Sequence, residues 1–142
     1  MDSAKNALAA ALLRSVGRLR IAVVGSSMLP AVRPHDLLLV RRCTIESARV
    51  GDIAVFTRDE RLFAHRVIAT GPRLHTRGDA LAAADPPVDA AELLGRVVRV
   101  VRRGRVMRPP RAHRLASALF GRSAGAGRML MRLEALRRKL GA

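Results

Sequence analysis

Ser27 lies in the run Gly25-Ser26-Ser27-Met28-Leu29-Pro30, at the end of an apolar stretch, where a Gly-Ser turn followed by Pro would present a hydroxyl beside free backbone N–H groups. A serine becomes a nucleophile only with a general base in hydrogen-bond reach, usually oriented by a third group. Most Ser-Ser pairs in turns are structural, so the reading depends on partners. The only lysines, Lys5 and Lys139, lie outside the apolar middle of the chain, and arginine keeps its proton near neutral pH. Of the four histidines, His65 stands inside a strand-like run, Leu62-Phe63-Ala64-His65-Arg66-Val67-Ile68. Imidazoles titrate near pH 6.5 in model peptides, which suits a base working near neutrality. Two acids follow: Asp79 in Thr76-Arg77-Gly78-Asp79-Ala80, and Asp85 in Ala84-Asp85-Pro86-Pro87-Val88. Either could reach back to the imidazole Nδ1, and either could instead simply cap a turn.

Positioning such groups requires a rigid scaffold, and the chain's patterning supplies one. Leu19 to Val24, Asp36 to Arg42, Asp52 to Thr57, Leu62 to Ala69, Arg73 to Thr76 and Leu94 to Val101 are short Val-, Ile- and Leu-rich runs separated by Gly, Pro or Asp. They predict strands, and their close succession without intervening helical patterns predicts a mainly β sheet or barrel-like body. Before them, Ala4, Leu8, Ala11 and Leu12 recur at helical spacing and predict an amphipathic helix ending near Gly17. After them, Pro109-Pro110 break the chain. Met129, Leu133, Leu136 and Leu140 then share one face of a basic helix beyond the flexible Ser123-Ala124-Gly125-Ala126-Gly127 stretch. The expected division is therefore a helix over 1–18, a β domain over 19–108 and a basic helical tail over 109–142.

Charge and composition narrow the function classes. The net charge is +16, and residues 103–142 carry eleven basic residues against Glu134 alone. A basic tail of this kind suits an acidic partner or, through residues 128–140, peripheral contact with an anionic membrane. With three Phe, no Trp and no Tyr, the chain lacks the stacking platforms of single-strand binders, so a nucleic-acid partner is not expected. Cys43 is alone, and the histidines show no metal-ligand spacing, so no disulfide, metal or cofactor is expected. The longest charge-free stretch, Ile21 to Val32, has twelve residues, whereas a membrane span needs about 20. A cytoplasmic location, peripheral to the membrane at most, is the expectation.

Taken in order, these segments resemble the signal peptidase I family over about residues 19 to 100. Ser26-Ser27-Met28-Leu29-Pro30 resembles the family's Ser-Met-x-Pro box, in which the serine before Met is the nucleophile, here Ser27. Asp36-Leu37-Leu38-Leu39-Val40 and Gly51-Asp52-Ile53-Ala54-Val55-Phe56 resemble its next two strand openings, and His65-Arg66-Val67-Ile68 its base-bearing strand. Thr76-Arg77-Gly78-Asp79-Ala80, with Asp85 beyond, resembles the Gly-Asp box and the acid after it. Bacterial enzymes of the family usually carry Lys as base, whereas the archaeal and endoplasmic-reticulum branch carries His, which is what His65 resembles. The resemblance implies a Ser27/His65 pair oriented by Asp85, preferred over a supporting Asp79. Ser26, Met28 and Pro30 would shape the oxyanion and substrate site. It also implies a serine endopeptidase that cleaves a leader or precursor peptide. His35, Arg77 and Leu81 depart from the family's usual Gly, Lys and Asn, and no membrane anchor is visible. An inactive peptide-binding member of the same fold and a basic nucleic-acid-binding module are the alternatives.

Overall fold

A computed structural model of the chain describes residues 3–112; the expected basic tail, including residues 128–140, lies outside the described residues from 113 onward. The N-terminal pattern forms α1 (Ser3–Val16), which buries Asn6, Ala10 and Leu13. It stops at Gly17, whose N–H donates to the Leu13 carbonyl at 3.0 Å with φ +81°, the left-handed cap that glycine adopts without strain.

Seven strands follow: β1 (Arg18–Ala22), β2 (Leu37–Arg41), β3 (Ile53–Arg58), β4 (Arg61–Ala69), β5 (His75–Arg77), β6 (Leu93–Arg102) and β7 (Arg105–Met107). They make one antiparallel sheet in the order β1-β2-β6-β3-β4-β5, with β7 pairing with β6. The fold is thus mainly β with one N-terminal helix, as the pattern of short apolar runs predicts. The addition is β7, joined to β6 by Arg103 and Gly104, both with positive φ, as a tight hairpin turn requires.

Alternation along the strands separates inside from outside. Leu38, Val40, Val97 and Val100 turn inward, meet Ala10 and Leu13 of α1, and form one core with Met28, Ile53 and Val55. A second core gathers Ile45, Phe56, Val67, Leu74 and Val88. Strands β3 and β4 straddle both, and their hairpin turns through Asp59 and Glu60, each at positive φ. This turn is tied back to α1, since Asn6 Nδ2 donates to the Glu60 carbonyl at 3.0 Å and the Ser3 hydroxyl to its carboxylate at 2.9 Å.

The loop from β1 to β2 carries Ser27. Met28 Sδ accepts the Asp79 N–H at 3.4 Å, and Met28 and Leu29 are both buried, so the loop is anchored on its C-terminal side by apolar packing. The Leu29-Pro30 bond is cis. At its far end His35 takes φ +72° while Asp36 accepts from the Arg33 N–H and from Arg102 at 2.7 and 2.9 Å. Histidine therefore holds a left-handed turn that glycine would hold more cheaply.

Candidate active site

The loop after β1 and the middle of β4 meet. Ser27 Oγ lies 3.0 Å from His65 Nε2, and His65 Nδ1 lies 2.6 Å from Asp85 Oδ2. With Nδ1–H donating to the carboxylate, Nε2 is left as the acceptor for the Ser27 hydroxyl proton. His65 is 3% exposed, and its imidazole is gripped edge-on by Phe63 and Phe56, with ring centroids 5.7 and 6.1 Å away. Both rings restrict rotation that would break either hydrogen bond.

The two candidate acids are separated by their partners. Asp85 Oδ2 also accepts from the Thr76 hydroxyl at 2.7 Å, and the Asp85 N–H donates to the Thr76 carbonyl at 2.8 Å. Partial burial pushes the Asp85 carboxyl upward, but the hydrogen bonds from His65 and Thr76, and then the charges of His65 and Arg58, outweigh it and hold the group below its usual range. Asp79 instead forms a buried two-point pair with Arg66, at 2.8 and 3.3 Å, and makes no hydrogen bond to His65. Its loop abuts the serine: the Ala80 N–H donates to the Ser27 carbonyl at 2.9 Å, and a Cβ on Gly78 would lie 2.7 Å from that same oxygen. A close approach of this kind requires glycine.

Ser26, Met28 and Pro30 lie in the same loop as Ser27. Among the described residues, the N–H groups of Ser26 and Ser27 have no hydrogen-bond acceptor. Met28 is buried, so its side chain supports the loop from below, while Pro30 is exposed. One positioning residue escapes sequence reasoning altogether. Arg58 donates to the Pro86 and Pro87 carbonyls, each at 2.9 Å, and to Glu92 at 2.8 and 3.0 Å. It clamps the loop that starts at Asp85.

A groove of about 410 Å³ runs beside this centre, walled by Ile21 to Gly25, by Arg61 to Ala64 and by Asn6. Among the described residues, β1 pairs only with β2, and residues 61–64 of β4 pair only with β3, so each wall has a strand edge without a described partner.

The family model of Peptidase S24-like proteins matches residues 7–98 of the chain. The chain belongs to the Peptidase S24-like family. The matched span contains most of α1, β1 to β5 and most of β6, and with them Ser27, His65, Asp79 and Asp85. No curated protein matches the chain. The match bears out the expected mainly β fold and supports the peptidase class at the level of the family; among the described residues no helix is long and apolar enough to cross a membrane.

Proposed function

We propose that this S24-like protein is a serine endopeptidase in which Ser27 is the nucleophile, His65 the general base and Asp85 the group that orients it. The observation that carries the reading is the unbroken hydrogen-bond series Ser27–His65–Asp85, at 3.0 and 2.6 Å. Both distances fall in the range that nucleophile–base and base–orienter pairs need.

His65 takes the Ser27 proton as Oγ attacks a peptide carbonyl. The oxyanion that forms is held by the N–H groups of Ser26 and Ser27, donors worth about 3 to 4 kcal/mol each in serine enzymes. The imidazolium then gives its proton to the leaving amine, and an acyl ester remains on Ser27. Water, deprotonated by His65, hydrolyses that ester and restores the serine. Asp85 stays ionised and keeps Nδ1 protonated, so Nε2 faces the serine throughout. Arg66 and Asp79 hold the floor under Ser27 without entering the proton path.

The substrate is an extended peptide laid between β1 and β4, where two unpaired edges supply backbone hydrogen bonds on both sides. The resemblance to the signal-peptidase branch with a His base suggests small residues before the scissile bond and a leader or precursor peptide as substrate. Mass spectrometry of a peptide library, or of a precursor encoded beside this gene, incubated with purified protein tests it. Wild type yields a consistent set of new termini, and Ser27→Ala and His65→Ala yield none while melting as wild type does. Cleavage that survives Ser27→Ala overturns the assignment, and a folded wild type that binds peptides but cuts none makes the protein an inactive member.

A further inference from the structure

Strands β1, β2 and β6 send one set of side chains into the core, and the register of their pairing arranges the other set in rows on the outer face. At one end Arg18 stands opposite Arg41. In the next row Arg20 stands opposite Leu39, which faces Arg99 on β6. In the third row Ala22, Leu37, Val101 and Val106 follow one another across four strands. The face is thus basic at one end and apolar at the other. Arg18, Arg20, Arg41 and Arg99 are all exposed, and none pairs with a carboxylate among the described residues. Arg41 meets a further arginine, Arg96, on its β6 side; that one is paired with Asp52. Like charges placed directly across a sheet destabilise it, so this arrangement favours a partner that neutralises them. Val106, at the apolar end, is 64% exposed.

Helix α1 packs on the opposite, core side through Ala10 and Leu13, and no other described element covers this face. Charge decides among occupants. A second copy would bring the same arginines, and residues 113–142 carry seven basic residues against Glu134, so both are repelled. Nucleic acid would satisfy the guanidinium groups but would leave the Ala22–Val106 row, which offers neither hydrogen bonds nor aromatic rings, against a polar backbone. A bilayer surface with anionic headgroups satisfies both ends: the phosphates take the arginines and the interfacial region takes the aliphatic row. We propose that the outer face of β1, β2 and β6 docks on an anionic phospholipid surface, with Arg18, Arg20, Arg41 and Arg99 on headgroup phosphates and Val101 and Val106 at the acyl boundary. The contact is independent of peptidase activity. Because β1 continues into the Ser27 loop, docking would set that loop at a fixed height above the bilayer.

Sedimentation of the full chain with vesicles of equal phosphatidylglycerol and phosphatidylcholine, against pure phosphatidylcholine vesicles, tests it. Wild type binds the anionic vesicles only. Each arginine at such a surface contributes roughly fivefold, so Arg18→Glu/Arg20→Glu/Arg41→Glu weakens binding at least about 100-fold. The same variant melts close to the wild-type temperature, because the three side chains are exposed and the opposed pair at positions 18 and 41 stays a like-charge pair with its sign reversed. Val106→Asp weakens vesicle binding as well, and its loss persists at high salt, where charge attraction is screened. If the triple variant binds as wild type, the C-terminal residues carry the contact and the proposal fails. If wild type ignores anionic vesicles, or if duplex DNA strips it from them and Val106→Asp binds as wild type, the proposal fails too.

Discussion

At the residue scale, the chemistry rests on hydrogen bonds that make one carboxylate different from another. Asp85 and Asp79 have similar sequence surroundings, yet one accepts from His65 and Thr76 and the other from Arg66. Asp85→Asn is expected to lower kcat/KM by roughly 10⁴-fold, the loss seen when such an aspartate can no longer fix the imidazole tautomer. Asp79→Asn should instead act mainly on stability, because it leaves Arg66 buried without its charge partner. The Asp85 carboxyl lies below its usual range in the folded protein, so the unfolded chain takes up the proton first as pH falls. Its stabilising contribution is complete above the unfolded value of about 3.9 and disappears as pH drops through the lower folded value. Thermal melts should accordingly show the stability gap between wild type and Asp85→Asn constant above about pH 5 and narrowing below about pH 4. Sequence could place both acids in the right loop but not choose between them by physics, since Thr76 and Arg66 become neighbours only when β4 and β5 pair. Arg58 was hidden for the same reason: a cation at a strand end reads as a solvated side chain until its carbonyl partners are seen.

At the element scale, the longer strands were legible because they are runs of Val, Ile and Leu bounded by turn residues, and in β1 and β2 the inward set alternates as a half-buried sheet demands. β7 was not, since Arg105–Met107 is too short to show a period. His35 departs from the glycine expected in its turn, and its φ of +72° shows what that departure costs. His35→Gly is expected to raise stability by about 1 kcal/mol, read as a higher denaturation midpoint with unchanged activity. Gly78 is the reverse case. Gly78→Ala drives a methyl into the Ser27 carbonyl and Leu81, so activity should fall far more than the melting temperature, with the loss in kcat rather than KM. In α1, Leu13 is fully buried in the core shared with β2 and β6, and Leu13→Ala should cost about 2 to 5 kcal/mol by chemical denaturation.

At the scale of the whole molecule, the sheet has a groove on one side and an arginine-rich outer face on the other, so the proposed catalysis and the proposed docking would use opposite faces. The signal-peptidase resemblance and the S24-like family match meet in the same segment, residues 19–98, and the Ser27–His65–Asp85 series lies within it. The +16 charge by itself was ambiguous; only the strand register shows which arginines gather on one face and which are spent on internal pairs. The most direct test of the central claim is to quench a reaction of the protein with a cleavable peptide in acid and map the adduct by mass spectrometry. The account predicts the N-terminal fragment of that peptide esterified to Ser27, and neither adduct nor cleavage in Ser27→Ala. An adduct on any other residue, or cleavage that continues without Ser27, would contradict it.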